Sequence, residues 1–175
     1  MQEDQLIKKV LKGDGRAQKA FYDLFASKMY GVALRFAKDV DEANDILQEG
    51  FVKVFSNLSS YRNEGSLEGW IRKTVVNTAI NFYKKNAKHR SSADIEMVMI
   101  FEKSDEVTII DQMSAKELLQ TISELPDGYR AVFNLNVIEG YTHKEIGEML
   151  DISENTSKSQ LARAKAYLQK RVIRK

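Results

Sequence analysis

The stretch SSYRNEGSLEG, residues 59–69, sets an amide (Asn63), a carboxylate (Glu64) and a hydroxyl (Ser66) in a polar loop with Gly65 and Gly69. Directly after it, the nineteen residues from Arg72 to Arg90 contain no carboxylate, in a chain that has 25. Arg72, Lys73, Lys84, Lys85, Lys88 and Arg90 give this segment an unbroken positive character, and Asn77 and Asn81, one helical turn apart, share a face. Nucleic-acid binding is the chemistry such residues suit: cations neutralise phosphates, which a carboxylate would repel, and amides reach base edges. Trp70, at the entrance, either stacks on a nucleic acid or closes the core, where its spacing to apolar neighbours puts it.

A second basic segment closes the chain. From Asn155 to Lys175 there are seven Lys or Arg and no acid. Lys158, Ser159, Gln160, Ala162, Arg163 and Lys165 surround an inward stripe of Leu161, Ala164 and Leu168. The residues before it have the spacing of a helix-turn-helix. Thr142 caps a short helix, and Glu145, three positions on, completes a capping box. Ile146 and Leu150 face inward, and Gly147 lets two helices cross closely. Asp151 takes the turn, where it tolerates left-handed backbone; Ile152 plugs the turn into the core; Ser153 or Asn155 caps the longer helix. Such a helix suits a major groove, with lysines on phosphates and Gln or Arg on base edges. The bland alternative is a solvated basic helix end favoured by the helix dipole. His143 is expected to be exposed, near phosphate or water.

Both segments need helical supports, and the periodicity supplies them. Leu6, Val10 and Leu11 form a first stripe; Ala20, Phe21, Leu24, Phe25, Val32 and Phe36 a second. Ala43, Leu47, Phe51, Val54 and Leu58 mark one buried face, as do Ile71, Val75, Ala79 and Phe82. Apart from the ambiguous VMIF and VTII, no strand pattern stands out, and the single proline, Pro126, favours long helices. The pattern therefore predicts an all-α chain. Between Ser91 and Asp111 six carboxylates face one lysine, with weak periodicity and apolar residues such as Met97, Ile100 and Phe101. This reads as an acidic linker, against the alternative of an extra helix on the first domain. Helical pattern resumes at Ala115, Leu118, Leu119, Ile122 and Leu125. LPDGYR then makes a turn, Tyr129, Val132, Phe133 and Val137 form another face, and Gly140 ends it. Residues 1–92 and 113–175 are thus expected to be two small helical domains joined by a linker at 93–112.

Composition excludes several classes. With 43% hydrophobic and 30% charged residues the chain should fold, and its net charge of +2 conceals the local polarity. The absence of cysteine removes disulfides, thiol catalysis and zinc–thiolate sites. The polar N-terminal residues do not resemble a signal peptide, and no apolar run approaches membrane-spanning length, so a cytoplasmic protein is expected. The two histidines, His89 and His143, come with neither a Gly-rich phosphate loop nor a supported carboxylate pair, so no enzyme, metal site or cofactor is expected.

Three stretches carry a family resemblance: DEANDILQEGFVKVFSNL (41–58), YRNEGSLEGWIRKTVVNTAINFYKKNAKHR (61–90) and LPDGYRAVFNLNVIEGYTHKEIGEMLDISENTSKSQLARAKAYL (125–168). In that order, with an acidic linker between, the chain resembles the extracytoplasmic-function sigma factors, bacterial promoter-specificity subunits of RNA polymerase. The resemblance implies that the first stretch binds core polymerase, the second reads the −10 element and the third the −35 element. Segment 39–50 has five acids and no base, and so wants a basic partner. In the family that is the clamp coiled coil of the largest polymerase subunit, which implies polar contacts from Asp41, Asp45, Gln48 and Glu49. Leu47 and Phe51 fit the core better than an apolar anchor.

At the −10 element the family uses the loop position as a pocket for a flipped base, binding of which offsets unpairing. Arg62, Asn63, Glu64, Ser66, Arg72, Lys73, Asn77, Asn81, Lys84, Lys85 and Lys88 are the implied contacts, on a backbone loosened by Gly65 and Gly69. The −35 contacts implied are Lys158, Ser159, Gln160, Arg163 and Lys165. The family often has Gly-Thr-Val where Asn155-Thr156-Ser157 stands here, and often a basic residue at the position of Gln160, so the −35 sequence cannot be copied from a relative. The linker, in the family, threads toward the active-site cleft and RNA exit path. An anti-sigma protein is a further implied partner. Two rival readings remain at this point, a stand-alone helix-turn-helix regulator of duplex DNA and a helical RNA-binding protein; the first leaves the loop and basic helix at 59–90 unexplained.

Overall fold

The computed structural model describes residues 2–87 and 114–173. Among them are eight α-helices and no strand, as the periodicity predicts: α1 (Gln2–Leu11), α2 (Gly15–Phe36), α3 (Val40–Asn57), α4 (Leu67–Ala87), α5 (Ala115–Ser123), α6 (Asp127–Phe133), α7 (His143–Leu150) and α8 (Glu154–Ile173). They divide into two compact units, residues 1–79 and 80–175. The linker expected at 93–112, with Lys88, His89, Arg90 and the VMIF and VTII segments, lies outside the described residues.

In the first unit, caps fix where the helices begin. The Asp14 carboxylate accepts the N–H groups of Arg16 and Ala17 at 2.9 and 3.2 Å. Asp39 accepts the Glu42 N–H at 2.8 Å, and Glu42 reaches back to the Lys38 N–H at 2.7 Å. Such bonds satisfy donors that the first turn of a helix leaves unpaired. Phe21, Phe25, Met29, Val32 and Phe36 of α2 pack against Ala43, Ile46, Leu47, Phe51 and Val54 of α3. Leu24 departs from the expected stripe and is 56% exposed, because the packed positions recur from Phe21 and leave residue 24 outside their arc. Leu47 and Phe51 are core. A side chain at Gly50 would bring its Cβ within 3.2 Å of Val75 Cγ2, so this glycine lets α3 and α4 pack closely.

In the second unit, Ser114 and Glu117 form a capping box at α5. The Pro-Asp-Gly turn is held by Arg130, which is only 5% exposed. Its guanidinium donates to the carbonyls of Ser123 and Leu125 at 3.3 and 3.1 Å and to the Asp127 carboxylate. Every residue from Arg130 to Leu135 is buried, which marks α6 as the central helix of this unit. Val137, expected on the buried face, is 36% exposed. Val137 lies within a π-helical turn, Asn134–Ile138, whose buried residues are Asn134 and Leu135. Gly140 then ends the segment at φ +80°, as a glycine stop should.

Candidate nucleic-acid interface

The exposed side of α4 carries Lys73, Asn77, Asn81 and Lys85, with half-buried Lys84 in the same line. The opposite side is core, with Ile71, Val75 and Ala79 buried, and Thr78 and Ile80, in line with Lys85 and Lys73, are buried as well. Burial of Ile71, Val75 and Ala79 turns Lys73, Asn77 and Asn81 outward. Arg72 falls on the side that carries Val76 and Ala79, half-buried and away from this stripe. Phe82 and Tyr83 are also half-buried.

The loop before α4 is firmly held rather than loosened by its glycines. The Tyr61 hydroxyl donates to the Gly65 carbonyl at 2.9 Å, and Gly65 adopts φ +88°, which favours glycine. Asn63 takes the left-handed region at φ +57°, and its side-chain amide donates to the Asp4 carboxylate of α1 at 3.2 Å. Ser66 is the cap of α4: its hydroxyl accepts the Gly69 N–H at 3.0 Å. A Cβ on Gly69 would stand 2.9 Å from that hydroxyl, so this glycine makes room for the cap and is itself helical. Arg62, Asn63, Glu64 and Ser66 all remain exposed. Trp70 is half-buried, its ring 5.6 Å from that of Tyr61.

On α3, Asp41, Asp45, Gln48 and Val52 form an exposed line opposite the buried face, ending at half-buried Phe55, whose ring lies 5.5 Å from that of Phe21. Glu49 stands beside this line, paired with Lys53 at 2.8 Å. Val52, 59% exposed, was not singled out from sequence. Its cue was the helical register it shares with Gln48 and Asp45.

The helix-turn-helix is assembled from the expected parts. The Thr142 hydroxyl accepts the Glu145 N–H at 3.2 Å, and the Glu145 carboxylate accepts the Thr142 N–H at 2.8 Å and its hydroxyl at 3.0 Å. These bonds, the backbone one first, hold the Glu145 carboxyl below its ordinary range. Asp151 is left-handed, at φ 56° and ψ 45°. A Cβ on Gly147 would lie 2.7 Å from the Ile152 carbonyl oxygen, so glycine is what lets the backbone of the turn pack this closely on α7. Ser153, rather than Asn155, caps α8, its hydroxyl accepting the Thr156 N–H at 3.0 Å.

His143 is half-buried, not exposed: its Nδ1 lies 2.8 Å from the hydroxyl of the fully buried Ser157. The outer side of α8 presents Asn155, Ser159 and Ala162, with half-buried Arg163 beside them. Lys158 and Lys165, seven residues apart, line one flank. Lys158 is paired with Glu154 at 2.9 Å, and its hydrogen bond and charge hold that carboxyl below its ordinary range. Gln160 lies on the other flank, with its carboxamide oxygen buried.

No described helix is long and apolar enough to cross a membrane.

The Sigma-70 region 2 family matches residues 21–89, and the Sigma-70, region 4 family matches residues 115–168. The ECF RNA polymerase sigma factor SigW of Bacillus subtilis is 31% identical over 95% of this chain and 94% of its own. The RNA polymerase sigma-H factor of Pseudomonas aeruginosa is 27% identical over 97% and 93%. A solved structure of the sigma factor RpoE in complex with the anti-sigma factor NepR, from Bartonella quintana, shares the fold at a TM-score of 0.52 and 16% identity, covering 89% of this chain and 96% of that one.

Proposed function

The chain belongs to the extracytoplasmic-function RNA polymerase sigma factors, and from that premise we propose that it joins core RNA polymerase, directs it to promoters with −10 and −35 elements and nucleates strand separation. The observation that carries this reading is that one chain holds two acid-free basic helical stretches, the first of them preceded by a polar loop. The loop and α4 stripe lie within the region 2 match, and the outer side of α8 lies within the region 4 match.

The division of labour follows from shape. A held loop with exposed amide, carboxylate and hydroxyl groups suits a base taken out of its stack. Lys73, Lys84 and Lys85 along α4 suit the phosphates of the strand that remains, with Lys88 continuing the series in sequence. The helix-turn-helix suits duplex DNA at −35, with Arg163 and Ser159 toward base edges and Lys158 and Lys165 toward phosphates. Asp41, Asp45, Gln48 and Glu49 suit a basic coiled-coil surface on the polymerase.

Residues 1–92 then act as the polymerase-binding and −10 domain, 113–175 as the −35 domain and 93–112 as the linker between them. The chain acts in the cytoplasm, without a catalytic site of its own, and an anti-sigma protein holds it when it is not needed. The solved RpoE–NepR complex is the precedent for such a partner.

The test is transcription of genomic DNA by core polymerase from the same organism, with and without the protein, and sequencing of the transcripts. New start sites sharing two upstream motifs are expected. No protein-dependent starts, with core shown active by another sigma factor, would overturn the reading in favour of a duplex-binding regulator.

A further inference from the structure

Gln160 is in an unusual position for a side chain on a DNA-facing helix. Its carboxamide oxygen is buried and has no hydrogen-bond partner among the described residues. It rests over Gly128, the second residue of α6. A Cβ built there would stand 2.7 Å from the oxygen and 3.4 Å from both the amide carbon and the amide nitrogen. The niche that receives the amide therefore exists because residue 128 has no side chain.

Burying an amide oxygen without a partner forfeits its hydrogen bond to water with nothing in return. The inward position is thus held by packing alone and is readily given up to any donor outside. Ser159 and Arg163, its neighbours on α8, belong to the outer side, exposed and half-buried respectively, and Gln160 is one residue from the first and one helical turn from the second. A glutamine at the major groove pairs in bidentate fashion with the N6 and N7 edge of adenine.

We propose that Gln160 is a base reader held in reserve over Gly128, that it swings out to an adenine of the −35 duplex, and that Gly128 thereby tunes promoter choice without touching DNA. This rests on the sigma-factor reading and adds to it a residue on α6 that acts through another on α8. While the amide is stored, only the fraction of molecules with it outside is ready to read, and apparent affinity falls by that fraction.

Gly128→Ala closes the niche. The atom it displaces is the far end of a flexible side chain, and alanine suits a helix better than glycine, so the fold should hold. The experiment is selection by holoenzyme from promoter duplexes randomised across the −35 element, for the parent, Gly128→Ala, Gln160→Ala and the double variant. Gly128→Ala should strengthen selection of adenine at one position several-fold, Gln160→Ala should abolish that selection, and the double variant should match Gln160→Ala. The side-chain amide resonance of Gln160 should also shift in Gly128→Ala.

Unaltered adenine selection in Gly128→Ala would overturn the proposal, as would a change that persists when Gln160 is absent, because it would then act through helix packing. Failure of the parent holoenzyme to select any −35 element would overturn the sigma-factor reading itself, and this proposal with it.

Discussion

His143 Nδ1 meets Ser157 Oγ at 2.8 Å, joining the first residue of α7 to a fully buried position one turn into α8. A hydroxyl is thus accepted where the resemblance leads one to expect valine, because the other helix of the motif supplies its partner. His143→Ala should cost about 1–2 kcal/mol, limited by the hydroxyl's recourse to a carbonyl one turn back. Adding Ser157→Val removes the group that needs a partner and should recover most of the loss. Urea denaturation of the parent, the single variants and the double variant measures both; no recovery in the double variant would mean that His143 acts through something other than Ser157.

Asn63 combines a left-handed backbone with a bond to Asp4, and two substitutions separate these roles. Asn63→Gly keeps the backbone accessible, whereas Asn63→Ala strains it by roughly 1–2 kcal/mol. If the side chain itself serves the −10 element, both variants should slow promoter opening; both lose the bond to Asp4, and Asn63→Ala should be the less thermally stable of the two by its backbone strain. Permanganate footprinting read over time gives the opening rate.

Arg163 and Lys165 should fail in different ways. Arg163→Ala should cost roughly 1–3 kcal/mol at promoters carrying the preferred base and relax selection at one −35 position. Lys165→Ala should weaken all promoters alike and reduce the salt slope by about 1. Titrations at several salt concentrations distinguish the two; an unchanged −35 preference in Arg163→Ala would refute its assignment.

Val52 sits at the apolar end of the α3 line that begins with Asp41 and Asp45. If that line docks on polymerase, Val52→Ala should weaken holoenzyme formation by about 1–2 kcal/mol, the loss expected for two methyl groups. It should do so without affecting the stability of the free protein, because the side chain is exposed. Asp45→Lys should weaken association more, and its effect should shrink with added salt.

Acid should loosen the second unit partly through its caps. Glu145 and Glu154 have folded-state pKa values lowered, the first by its bonds to Thr142 and the second chiefly by Lys158. A lowered folded value means a contribution that is complete above the ordinary glutamate range and lost as pH falls through the lowered value. Glu145→Gln should therefore flatten the acid side of the stability curve, as followed by circular dichroism between neutral pH and the acid limb.

Much of this was legible in the sequence because it rests on local chemistry. Thr142 with Glu145, the left-handed Asp151, the close approach at Gly147 and the stop at Gly140 each follow from one residue's stereochemistry and its neighbours. What escaped depended on contacts between distant parts of the chain or on changes of register. Arg130 looks like a surface cation until its bonds to Ser123 and Leu125 are seen. His143 needed Ser157, fourteen residues on. The direction taken by Gln160 depended on a glycine in another helix. Leu24 and Val137 were misread because any apolar residue near a stripe resembles part of it, and the π turn gave no warning in composition.

At 134–138 the chain holds one residue more than an α-helical turn needs, and the helix stops directly after it at Gly140. The wide turn is tied to the chain that leaves it: the Tyr141 N–H donates to the Leu135 carbonyl and the Asn136 amide donates to the Tyr141 carbonyl, each at 2.9 Å. Asn134 and Leu135 are fully buried, so the same five residues anchor the core and latch the approach to the Thr142 cap. The segment is a clasp between the central helix of this unit and its DNA-facing motif, and loosening it should free both ends at once.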